Sequence, residues 1–158
     1  MVLSGLSSAP AVVRFPIGLV GAALALFVMN LVMARLPEGE TAPNVAAGVL
    51  TDTPTDGAHP RLATAAHYFA GFGTGLLFVY GSILLESVLD GASLLSVALT
   101  TAALYVLMVA FFVAVPLPRA LGVSDTRRPA IARDWAIAAA AYLAVLVPVI
   151  TVLTLLFG

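Results

Sequence analysis

The sequence predicts an all-α fold, an integral membrane bundle of four transmembrane helices. Three observations carry that expectation: 61% of the 158 residues are hydrophobic, only 9% are charged, and four separate apolar stretches run through the chain. A hydrocarbon core of about 30 Å is crossed by about 20 helical residues, and each stretch reaches that length. The mean hydropathy of +1.10 lies outside the range of water-soluble domains.

The first span is expected over about 15–34, with Asn30 its only strongly polar member. It reads as a retained span rather than a cleaved leader, because the apolar run is too long and Pro37 follows where small residues would mark a cleavage site. Residues 35–61 carry four acids and the prolines 37, 43, 54 and 60, and these punctuators predict a loop. A second span is expected over about 62–85, followed by a tight turn at 86–91. The third covers about 92–115. Two prolines then bracket 116–129, which contains Arg119, Arg127 and Arg128 and suggests a connector at headgroup level. The fourth span covers about 130–157 and is interrupted only by Pro148. The whole chain, 1–158, is thus a single membrane domain, with too little chain outside the lipid for a soluble enzyme domain.

Charge sets the expected orientation. The chain has no Lys, and its seven basic residues are Arg14, Arg35, Arg61, Arg119, Arg127, Arg128 and Arg133. All but Arg14 lie in or beside the first and third connections. Cytoplasmic loops are enriched in positive charge, so those connections should face the cytoplasm and both termini the outside of the cell membrane. The absence of a basic tract argues against nucleic acid as a partner. The absence of Cys removes thiolate chemistry, Cys-ligated metals and disulfides.

The most informative stretch starts the second span. At 100° per residue, His67, Gly71, Gly75, Phe78, Ser82 and Glu86 share one helical face. Glycines four apart let a neighbouring backbone approach closely, which is how helices associate where lipid supplies no hydrophobic drive. The competing reading is a groove that admits the edge of a haem, quinone or isoprenoid, with His67 as its polar anchor. A haem would want a second axial ligand, and the only other histidine is His59, in the loop. Met29, Met33, Met108 or a residue from another subunit would have to serve. As structure, His67 needs a hydrogen-bond partner. Asn30 is the first choice, since both residues lie roughly 8–9 Å from the same end of consecutive antiparallel helices at 1.5 Å per residue.

Arg133 and Asp134 start the fourth span on that side, completing a cluster of four polar groups. Asp134 would complement the helix dipole in the first turn, Arg133 would reach toward phosphates, and Trp135 would anchor the interface. Two further small-residue faces are expected to pack: Gly18, Gly21, Ala22, Ala25 and Met29 on the first span, and Ala136, Ala140, Ala144, Val147, Thr151 and Thr154 on the fourth. Tyr105 and Tyr142 fall near mid-membrane and need hydroxyl partners. The third span looks the most lipid-facing. Gly71-x-Gly73-x-Gly75 lies inside a helix and lacks the strand and turn of a phosphate loop, and no other nucleotide, zinc or nucleophile motif is present.

The first two spans, with an Asn- and Met-containing helix ahead of one that carries His and spaced Gly, resemble small four-helix membrane proteins of haloarchaea. The likeness covers about half the chain and implies no activity. The functional expectation is a non-catalytic accessory or scaffold subunit of a respiratory or transport complex. Its partners would be the lipid bilayer and either other membrane subunits or further copies of itself. A small oligomeric transporter or channel lined by His67, Asn30 and Glu86 is one alternative. A haem- or quinone-binding redox protein using His67 is another.

Overall fold

Residues 10–157 are described by the structure, a computed structural model. They form α1 (Ala11–Met33), α2 (Thr41–Thr51), a 3-10 turn (Thr55–Gly57), α3 (Pro60–Val88), α4 (Leu94–Ala114), the single-turn α5 (Pro116–Arg119) and α6 (Arg128–Phe157). Four segments are long and apolar enough to cross a membrane: α1, α3, α4 with α5, and α6. The molecule is therefore a four-helix membrane bundle. One end carries α2 and the other the α3–α4 hairpin.

Each helix departs from its apolar stretch by a few residues, because backbone hydrogen bonding continues where side chains turn polar. Pro60 occupies the first position of α3, where its missing N–H costs nothing. At the hairpin, Gly91 adopts φ +125°, a conformation open to glycine. Its N–H closes α3 on the Glu86 carbonyl at 2.8 Å. Ser93 then caps α4 reciprocally with Ser96, each backbone N–H donating to the other's hydroxyl at 3.0 and 3.1 Å.

α1 is the central helix, packed against both α3 and α6. A methyl group placed on Gly75 would stand 2.7 Å from the Ala22 Cβ and 2.8 Å from the Gly18 carbonyl oxygen, and one on Gly71 would collide with the Leu26 side chain. The backbones of α1 and α3 are in contact at Gly75, where only glycine fits, whereas at Gly71 the Leu26 side chain would have to move. Toward α6, Gly21 receives Ile150 and Leu146. Large residues on α6 thus fill the hollow left by Gly21 on α1. α4 is peripheral and buries only Ser96, Thr100, Leu104 and Phe112.

Two sequence expectations are corrected here. Segment 35–61 is not a continuous loop. It contains the eleven-residue α2, which buries Thr41, Ala42, Val45, Ala47 and Gly48. Ala42 and Val45 join Phe112, Leu117, Ala120, Val123 and Ile131 in a second core beneath the bundle. Pro43 is tolerated because it falls in the first turn, where no intrahelical donor is required. The second correction concerns α6, whose inward face is Ala138, Ala139, Tyr142, Leu143, Leu146, Ile150 and Thr154. Ala140 and Ala144, expected to pack, are exposed, and Ala136, Val147 and Thr151 are only half-buried.

Candidate functional site

At the α2 end, His67 on α3 faces Asn30 on α1. The imidazole Nε2 lies 2.8 Å from Asn30 Oδ1, and Asn30 Nδ2 donates to the Tyr68 hydroxyl at 3.0 Å. An amide oxygen only accepts, so Nε2 carries the proton and donates. The Tyr68 oxygen receives a bond from Asn30, which leaves its own O–H available as a donor. The order is His67 to Asn30 to Tyr68, and it ends at a half-exposed hydroxyl. Because Nε2 is committed to Asn30, a haem iron would have to take Nδ1 or break this bond.

Arg133 and Asp134 form a separate network on α6. Asp134 is fully buried and lies in the second turn of α6, since the helix begins at Arg128. The expected role at the first-turn dipole is therefore replaced by specific bonds. Its carboxylate accepts from the Glu38 backbone N–H at 2.9 Å and from Arg133 Nε at 2.8 Å. Glu38 in turn receives Arg127 Nε at 2.6 Å and Nη2 at 3.0 Å. Arg127 also reaches Asp56 at 3.2 Å. The Arg127 hydrogen bonds hold the Glu38 carboxyl below its usual range, and Thr41 helps. The guanidinium is pushed up by the same bonds. These pairs tie the 35–61 segment to the start of α6. Trp135 donates to the Met108 carbonyl at 3.1 Å and packs on Phe112 with ring centroids 5.0 Å apart.

Glu86 and Ser82 do not join either network. Nineteen residues separate His67 from Glu86 along α3, about 28 Å of helix. At the hairpin end Glu86 forms a two-pronged ion pair with Arg14, at 2.7 and 2.9 Å. The two side chains are 7% and 10% exposed. Ser82 Oγ is buried and has no partner among the described residues. Phe78 and Val79, both buried, lie between the two ends. A polar path joining His67, Asn30 and Glu86 is thus interrupted by packed hydrocarbon.

Between α3 and α4 the bundle opens. The two helices meet near the hairpin, where Gly81 approaches Thr100, and a cleft of about 430 Å³ lies toward the α2 end. Its walls include Gly73, Leu77, Leu107, Phe111, Trp135 and Tyr142, with Pro43 and Ala46 of α2 at one end. Phe69, Leu77, Leu107 and Phe111 are exposed, so the cleft opens toward lipid. The polar side chains in its walls are each already bonded within the chain. Tyr142 donates to the Gly71 carbonyl at 2.6 Å, Trp135 to Met108, and His67 to Asn30. Tyr105 reaches the Ala136 carbonyl at 3.4 Å.

Of the residues singled out from sequence, the structure brings together Asn30 with His67, Arg133 with Asp134, and Gly71 and Gly75 with α1. It leaves Ser82 and Glu86 at the opposite end. Sequence reasoning missed Tyr68, Glu38, Arg127 and the partnership of Arg14 with Glu86. The last had a signal, because an Arg and a Glu that flank consecutive spans at the same end are candidates to pair across an antiparallel hairpin. Among the described residues, no group of three His, Asp or Glu side chains is placed to hold a metal ion. Comparisons with family models, curated proteins and solved structures find no match to this chain.

Proposed function

We propose that the protein is a non-catalytic accessory or scaffold subunit of a larger membrane complex, with both termini outside and α2 in the cytoplasm. The observation that carries this reading is the outward stripe on α6. Ala140 and Ala144 are exposed and Ala136 is half-buried, while the chain's own packing uses the opposite face. Small residues four apart let a second helix approach closely in lipid, and here that surface is left open. The ionisable groups support the same reading. Arg14, Glu86 and Asp134 are each paired within the chain, and the interrupted polar path disfavours the transporter alternative. Six of the seven arginines lie beside the connections at the α2 end, which supports the orientation.

The stripe is tested by placing a photo-crosslinking residue at Ala144 in the full chain in its native membrane. The reading expects one discrete adduct with another membrane polypeptide, absent when the probe is moved to exposed Leu99 on α4. Adducts of equal abundance from both positions would contradict it.

A further inference from the structure

A second cavity lies behind the cleft. Between α1, α2 and α3 is a polar vestibule of about 590 Å³, lined by Asn30, Glu40, Asn44, Asp56 and Tyr68 among others. Pro43 and His67 line both spaces. They mark the border at which a polar chamber adjoins an apolar one. A molecule that uses both is amphiphilic, with its chain in the cleft and its head in the vestibule.

Two features restrict the head. The vestibule wall contains Glu40 and Asp56 but no Arg. Asp56 shares Arg127 with Glu38, two carboxylates on one guanidinium, and Glu40 has no ion-pair partner among the described residues. The lining thus carries two carboxylates and no cation, which disfavours a phosphate or carboxylate head. The second feature is the Tyr68 hydroxyl. It already accepts from Asn30 and donates to no acceptor among the described residues, so its proton is free for an outside acceptor. Bonds in series polarise one another, and His67 and Asn30 strengthen this donor.

We propose that this composite site binds an uncharged, long-chain amphiphile whose head offers a carbonyl acceptor, the isoprenoid quinones being the representative class. The carbonyl accepts from Tyr68, and the chain crosses the Pro43–His67 border into the cleft. The site stands apart from the α6 stripe, so the two readings succeed or fail separately.

Trp135 is the chain's only tryptophan and lines the cleft, so its fluorescence reports occupancy. The full chain in phosphatidylcholine nanodiscs is titrated with decylubiquinone. The expected result is saturable quenching that decanoic acid does not displace. Gly73→Phe should abolish the saturable component, since a side chain at Gly73 enters open space rather than another helix. Tyr68→Phe should weaken binding about tenfold, the loss of one hydrogen bond to a neutral acceptor, and it serves where the larger substitution disturbs folding. Quenching that rises linearly without saturation, saturation unchanged in either variant, or displacement by decanoic acid would each overturn the proposal.

Discussion

The bond from His67 to Asn30 pairs a half-buried donor with a half-buried acceptor, so neither is left unsatisfied within the membrane. Couplings of this kind average about 0.6 kcal/mol in membrane proteins. Alanine substitutions made singly and together should therefore show a coupling of about that size in detergent unfolding, and strict additivity would contradict direct pairing. Glu38 gives a pH signature of defined sign. Arg127 lowers its folded pKa below the ordinary 4.5. The stabilisation is therefore present above about pH 4.5 and is lost as pH falls through the lower folded value. Melting temperature should fall more steeply with acid in wild type than in Glu38→Gln, and parallel curves would contradict the assignment. At the hairpin end, Arg14→Ala leaves the Glu86 carboxylate buried without its partner. Removing one member of a buried pair costs about 3–5 kcal/mol, so this variant should be among the least stable, and Arg14→Met with Glu86→Leu should recover much of the loss.

The helices differ in how far their packing is readable from one strand of sequence. Gly71 and Gly75 were legible because the hollow belongs to α3 itself, whatever fills it. The α6 face was not, because packing is a property of a pair. Leu146 and Ile150 look like lipid-facing residues until Gly21 of α1 is opposite them. α2 was hidden by Pro43 and the prolines that flank it, since proline marks helix starts as readily as loops. The pairing of Arg14 with Glu86 was missed because each falls one residue outside its apolar stretch, while the helices run on past it. The contrast between two glycines tests the α1–α3 contact. Gly75→Leu should lower stability by about 1–3 kcal/mol or more through overpacking. Gly73→Ala, whose added methyl meets nothing within 4 Å, should leave it unchanged. Equal melting temperatures for the two variants would place Gly75 against lipid.

At the scale of the molecule, a three-helix core of α1, α3 and α6 carries a peripheral α4, and an amphipathic α2 closes one end. Such an arrangement leaves two surfaces unused by the chain's own folding, the α6 stripe and the α3–α4 cleft. Length and apolarity are one-dimensional signals, so the four spans could be read directly, whereas which faces stay open depends on all four helices together. Orientation is tested with single cysteines, which the chain lacks. Cysteine at exposed Asp125 should resist a membrane-impermeant thiol reagent applied outside the cell, and cysteine at exposed Ser87 should react; the reverse pattern would invert the topology. The most direct test of the accessory-subunit account is the mass of the particle released from native membranes in mild detergent. The account predicts a complex that contains this chain and at least one different membrane polypeptide in fixed ratio, dissociated by Ala144→Trp. A particle made only of this chain, unaffected by Ala144→Trp, would contradict it.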